Sequence, residues 1–147
     1  MLAVKYSGRV EYFFHKLNQR KAIAKNRALY RVSGLVMSNA KRMIRVSPRP
    51  AQPGKPVHSR TRGGLRTIRF SVSTSETSSI IGSMKFYGSN KWDEPQPHIH
   101  EFGGWFQNRR HYYANYPKRS YVAAALEKLK KEGIIPRQFG ITMANII

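Results

Sequence analysis

From Val10 to Val46 apolar residues recur at helical spacing. Val10, Phe13, Leu17, Ala24 and Ala28 form one stripe, which Leu29, Val32, Val36, Ala40 and Met43 continue. The pattern predicts a long amphipathic helix over 10–46. Ser33-Gly34 costs it about 1 kcal/mol relative to alanine and predicts a kink or a division in two there. Further on the period changes to two. Ile68, Phe70 and Val72 alternate with Arg69, Ser71 and Ser73, and after a polar turn at 74–77 the run Ser79 to Tyr87 is rich in strand formers, so a β-hairpin is expected. His98 to Phe106 and His111 to Tyr116 are read as two further antiparallel strands. Tyr121 to Glu132 predicts a short helix with Val122, Ala125, Leu126 and Leu129 on one face and Gly133 as its left-handed terminator. The last stretch, Ile141 to Ile147, is apolar and uncharged and must dock somewhere. The expected architecture is α+β: a long N-terminal helix, an antiparallel sheet of about four strands, and a C-terminal helix packed on that sheet. All of it belongs to one domain, 1–147, divided into a helical arm (10–46), a basic proline-rich loop (47–64), a sheet with its helix (65–133) and a tail (134–147).

The loop is the most unusual segment. Pro48, Pro50, Pro53 and Pro56, followed by Gly63-Gly64, exclude a helix or a central strand, and a connection of about 18 residues is longer than most. It carries Arg49, Lys55, Arg60 and Arg62 and no acid. Narrowed by proline and unpaired within itself, it is expected to contact a partner and not merely to link.

Charge sharpens this picture. The 147 residues include 27 Lys and Arg against 7 Asp and Glu, a formal net charge of +20. Self-repulsion of that size opposes compaction, so a polyanion or an acidic protein surface is the expected partner. The polar face of the N-terminal helix is nearly all basic, with Glu11 its only acid. A helix stabilised by its own ion pairs would alternate signs. At 40% hydrophobic, with seven Phe and eight Tyr, the chain is too apolar for a disordered basic tail. No cysteine is present, which excludes disulfides and thiolate zinc sites. The opening residues hold no apolar leader pattern, and no run approaches the roughly 18 apolar residues of a membrane span. No membrane partner is therefore expected.

Catalytic chemistry finds little to work with. His98 and His100 would share a face of a strand, but Glu101 would point away and no third ligand is placed, so neither a metal site nor any other cofactor is expected. His58-Ser59 has no carboxylate beside it to orient a nucleophile. There is no phosphate-loop motif, and the acids are too scattered for a paired-carboxylate nuclease site. The expectation is a protein that is not an enzyme. Nucleic-acid contact is better supported. Lys41, Arg42, Arg45, Arg49, Lys55, Arg60 and Arg62 fall close together without compensating acid, which suits phosphates and not base reading. Trp105, Phe106, Tyr112, Tyr113 and Tyr116 offer either a base-stacking platform or, as is commoner in strands, core and interface.

Three segments carry a family resemblance. Asn39-Ala40-Lys41 closes a helix before the proline loop, and Thr61-Arg62-Gly63-Gly64-Leu65-Arg66 then precedes a strand. His100-Glu101-Phe102-Gly103-Gly104 follows, and Tyr116-Pro117-Lys118-Arg119-Ser120-Tyr121 leads into Val122-Ala123-Ala124-Ala125-Leu126. In that order they resemble the head-to-tail joining (neck or tail-completion) proteins of tailed bacteriophages, over about 90 residues. The Gly63-Gly64 turn is one residue longer than the family form, and Ser120 and Ala124 stand where the family has prolines. The resemblance implies a structural virion protein, six copies of which form a ring between head and tail, assembled in the host cytoplasm. Its neighbours would be a portal, adaptor or stopper ring on one side and a tail terminator or tail tube on the other, with double-stranded DNA passing through. Leu65, Glu101, Phe102, Gly103 and Trp105 would then lie at the subunit interface. The alternatives are a free basic nucleic-acid-binding protein, of ribosomal or packaging type, and a tail terminator or minor tail subunit.

Overall fold

The computed structural model describes residues 3–49, 51–52, 55–59, 64–73, 75, 78–83, 96–107 and 113–144, and the side chains from residue 14 onward within these except that of Gln96. The first element is a single helix, α1 (Ala3–Met43). It runs unbroken through Ser33-Gly34, where a kink was expected. The reason is local: Ser33 is buried but satisfied, its hydroxyl donating to Ser79 Oγ at 2.7 Å, and Gly34 faces open space. Ser33, small and turned inward, lets the following hairpin approach the helix.

Two short strands flank the proline loop. β1 (Arg45–Val46) and β2 (His58–Ser59) pair in parallel, Arg45 opposite His58 and Val46 opposite Ser59, and Ser47 N–H extends the ladder to Ser59 O at 3.0 Å. Ala51 and Val57 are buried, so part of the loop's own apolar content anchors it. A 3₁₀ turn at Gly64–Arg66 then sinks Leu65 into the core. The expected hairpin follows as β3 (Ile68–Ser73) and β4 (Ser78–Ser83), antiparallel, with Ile68 opposite Ser83 and Ser73 opposite Ser78. Residues 84–90, which the sequence assigns to the end of the second strand and to its break, lie outside the described residues.

The region after it departs from expectation. Where the alternation His98, His100, Phe102 reads as a strand, the chain forms a helix, α2 (Gln96–Phe102). Pro97 is tolerated in its first turn, Ile99 and His100 face inward, and Gly103, at φ +66°, ends it by donating its N–H to Ile99 O at 2.9 Å. The double glycine is thus a helix terminator leading into a strand, not a strand end. A Cβ on Gly103 would lie 2.7 Å from Lys118 N and 2.9 Å from its Cα. Gly103→Ala is accordingly expected to destabilise the fold by about 2 kcal/mol, from the left-handed backbone and the overlap together, measured as a lowered urea midpoint. Gly34→Ser, made at a site with open space, serves as the control.

β5 (Gly104–Gln107) and β6 (Tyr113–Tyr116) make a second small hairpin. α3 (Val122–Lys131) follows, and Gly133, at φ +66°, ends it as the sequence predicts. The described part of the tail is helical too: α4 (Ile134–Ala144) takes Pro136 in its first turn and lies along α1, with Arg31 Nη1 donating to Thr142 Oγ1 at 3.4 Å, while residues 145–147 lie outside the described residues.

The expected sheet of about four strands is therefore corrected to three separate two-stranded sheets among the described residues, and the two helices to four. The hairpins are kept apart because α2 and its left-handed terminator intervene between β4 and β5. Nor does the C-terminal helix pack chiefly on a sheet: α3 and α4 both lie on α1 and on each other. The core joins Val32, Val36, Ala40 and Ile44 of α1 to Val57, Leu65, Ile68, Tyr121, Ala125 and Leu129. At its centre Tyr121 is fully buried, and its hydroxyl lies 2.9 Å from Ser83 Oγ, which donates to Leu65 O at 2.7 Å. Since the serine has one proton and gives it to the carbonyl, the tyrosine must donate to the serine. This relay joins α3, β4 and the 3₁₀ turn, and burial above all pushes the phenol's pKa up to about 12.

Candidate nucleic-acid interface

The C-terminal end of α1 opens onto a cleft of about 820 Å³. Arg42 enters it from the last turn of α1, Arg45 from β1, Arg49 and Lys55 from the proline loop, and Lys128 from α3. His58 of β2 and the polar Asn39, Ser47 and Gln52 complete the polar lining, and no carboxylate is among the described lining residues. The convergence follows from the β1–β2 pairing. By returning beside its own start, the loop places cations from both of its ends around one space.

Local hydrogen bonds hold that shape. Arg49 N–H donates to Ser47 Oγ at 3.2 Å, and Lys55 N–H to Gln52 O at 3.2 Å. His58 Nδ1 lies 3.0 Å from Arg49 O. A carbonyl can only accept, so Nδ1 carries a proton. Part of the positive charge has a structural use: Lys41 and Arg42 stand in the last turn of α1, where the helix dipole favours cations. Arg45, Arg49 and Lys55 have no such helix end. Lys128 is 3.8 Å from Glu132, one helical turn away, but both are about half exposed and such pairs contribute little, so its charge remains available to the cleft.

Of the seven cations grouped in the sequence, Arg42, Arg45, Arg49 and Lys55 meet here. Lys41, on the same turn of α1, is not part of the lining, and Arg60 and Arg62 lie outside the described residues. Lys128 was missed. It belongs to a helix more than sixty residues away in sequence, and only the packing of α3 against α1 brings it to the cleft.

The residues assigned by resemblance to a subunit interface divide into two kinds. Leu65 is buried in the core. Glu101 is turned inward as well: its carboxylate accepts from the N–H groups of Tyr121 at 3.0 Å, Val122 at 3.3 Å and Ala123 at 2.8 Å. It caps α3, whose own preceding residue, Tyr121, makes no side-chain cap. Gly103 is packed against the Lys118 backbone. Phe102 and Trp105, by contrast, are 64% and 70% exposed. The β5–β6 register puts Trp105, Gln107, Tyr113 and Asn115 on one face and Phe106, Ala114 and Tyr116 on the other. The five aromatics grouped in the sequence thus do not form one platform. Trp105 and Tyr113 look outward, Phe106 and Tyr116 approach His98 and His100 edge-on, and Tyr112 lies outside the described residues.

Among the described residues no three His, Cys, Asp or Glu side chains are grouped to hold a metal ion. His98 and His100 do not share a face: on α2 one is exposed and the other buried. No helix among the described residues is long and apolar enough to cross a membrane.

Comparison with family models, curated proteins and solved structures found no match for this chain. Neither relatives nor architecture therefore stand behind the viral reading. The open four-stranded sheet, whose free face was to join neighbours, is replaced by three small sheets. The description of the chain as a virion neck component forming a homo-oligomeric connector ring for genome packaging and ejection is withdrawn on that ground.

Proposed function

We propose that the chain is a non-catalytic structural protein that holds double-stranded nucleic acid by its phosphates at the cleft beside the end of α1, without reading base sequence. One observation carries this reading: five cationic side chains from α1, β1, the proline loop and α3 converge on one space with no described carboxylate among them. Phosphate contact needs cations and hydrogen-bond donors and tolerates any sequence. Base reading in the major groove needs a protruding helix or ribbon that enters it. A recessed cleft does neither the entering nor the reading. The net charge of +20 adds a long-range attraction for a polyanion and a high association rate. This reading keeps, in coarser form, the free nucleic-acid-binding alternative that the sequence offers.

Arg45→Glu combined with Arg49→Glu is expected to weaken binding of a mixed-sequence duplex at least about tenfold and to lower the slope of log K against log salt by about 2, roughly one per lost phosphate contact. Thermal stability should change little, because both side chains lie on the cleft wall and not in the core. Equal affinity of wild type and variant for duplex, or marked preference of the wild type for one sequence, would remove the proposal. Light scattering then separates a monomeric binder from one that self-associates.

A further inference from the structure

Among the described side chains of α1, those of the core begin at Ala24, the first that is fully buried. The helix of 41 residues is about 60 Å long. From Phe14 to Ile23 every side chain is exposed except that of Leu17, which is half-buried. This stretch has little of the tertiary packing from which helices in proteins draw most of their stability, which leaves its face open to a partner.

The spacing shows which face would be covered. Leu17, Ala24 and Ala28 lie seven and four residues apart and so share a face. Ala24 and Ala28 are fully buried, and α4 lies along this part of α1, with Thr142 beside Arg31. Farther along, then, the stripe is closed by a packed helix. Leu17 continues it beyond the core, and Phe14, 56% exposed, stands beside it. Exposed cations edge the stripe on both sides, Arg20 and Arg27 on one and Lys21 and Lys25 on the other.

We infer that the stretch of α1 from Phe14 to Ile23 is a docking arm for an acidic protein whose apolar groove or helix is rimmed with carboxylates. Charge complementarity selects this occupant. Nucleic acid would neutralise the cations and leave the exposed side of Leu17 uncovered. A second copy would lay cations against cations, since the whole chain has seven acids against 27 basic residues. A membrane surface favours a broad apolar face. Here the stripe is narrow, and Ile23 points well away from Leu17 on the helical wheel. The arm is separate from the cleft, and this inference stands whether or not the cleft holds nucleic acid.

The test uses the full chain and a labelled synthetic peptide with Leu at the a and d positions and Glu at e and g, alongside a scrambled peptide of the same composition. At about 0.15 M salt, where distant charges are screened, the chain is expected to bind the patterned peptide about tenfold more tightly than the scrambled one. Leu17→Asp should abolish that preference while leaving thermal unfolding and duplex DNA affinity unchanged, because Leu17 lies outside the core and away from the cleft. Should Leu17→Asp unfold, Leu17→Ala with Arg20→Glu provides the milder variant, expected to lose most of the preference. No preference for the patterned peptide, or a preference that survives these substitutions, overturns the inference. So does a loss that appears instead in duplex binding, in binding to anionic phosphatidylserine vesicles, or in self-association.

Discussion

Glu101→Ala is expected to lower the stability of the chain by about 3 kcal/mol, since three helix N–H groups lose a charged acceptor at once. The carboxylate reaches across from α2 to the first turn of α3, where those groups have no partner within the helix. It also lies at the positive end of the α3 dipole. Hydrogen bonds to an ionised group contribute more than neutral ones but do not add independently, hence an effect well below three full bonds. Glu101→Gln keeps one accepting oxygen and should retain part of the loss-free stability, about half. The measurement is urea unfolding, followed by hydrogen exchange of Tyr121, Val122 and Ala123 amides. Unchanged protection of those amides in Glu101→Ala would show that the cap contributes nothing.

The second large effect concerns acid. His100 is buried, and burial first, then the nearby Arg119 charge, lower its pKa from 6.5 to about 4. Its Nδ1 and Arg119 Nε are both buried without a hydrogen-bond partner. The imidazole is therefore neutral in the folded chain over a range in which the unfolded chain binds a proton. The contribution is fully present above pH 6.5 and is lost as pH falls toward 4. A shift of this size corresponds to about 3 kcal/mol between those limits. His100→Phe keeps a ring of similar breadth and removes the titration. The difference in unfolding free energy between wild type and His100→Phe, taken so that titrating carboxylates cancel, should fall across that window. A difference independent of pH would mean that His100 is not held neutral by the fold.

The legible parts of the fold are those set by local pattern. α1, the β3–β4 hairpin and α3 each repeat their period several times, and Gly133 ends α3 as its position implies. α2 was misread because about two turns are too short to show a period of 3.6, while His98, His100 and Phe102 happen to alternate. Pro97 in a first turn and Gly103 just past the end were the available cues. α4 was not anticipated: the segment holds Pro136 and Gly140, both poor helix residues, although the proline falls in a first turn. At the candidate site, nearness in sequence sufficed for Arg42, Arg45, Arg49 and Lys55. Lys128 depends on helix packing, and no local pattern announces that. Glu101 looked like a contact residue because its true partners, three backbone N–H groups about twenty residues on, leave no mark in the sequence.

The closure of α1 by α4 also bears on the order of events during synthesis. Arg31 and Thr142, which meet in the folded chain, are 111 residues apart. The hairpins and the β1–β2 pair can form from nearby residues, but the long helix gains α3 and α4 only when the last quarter of the chain has emerged. Contacts of such sequence separation slow folding and leave apolar surface open meanwhile. Until then α1 is a nascent helix with an uncovered stripe, and the cations along its flanks make neighbouring nascent chains repel one another. The same positive charge thus also opposes aggregation of the ribosome-bound chain.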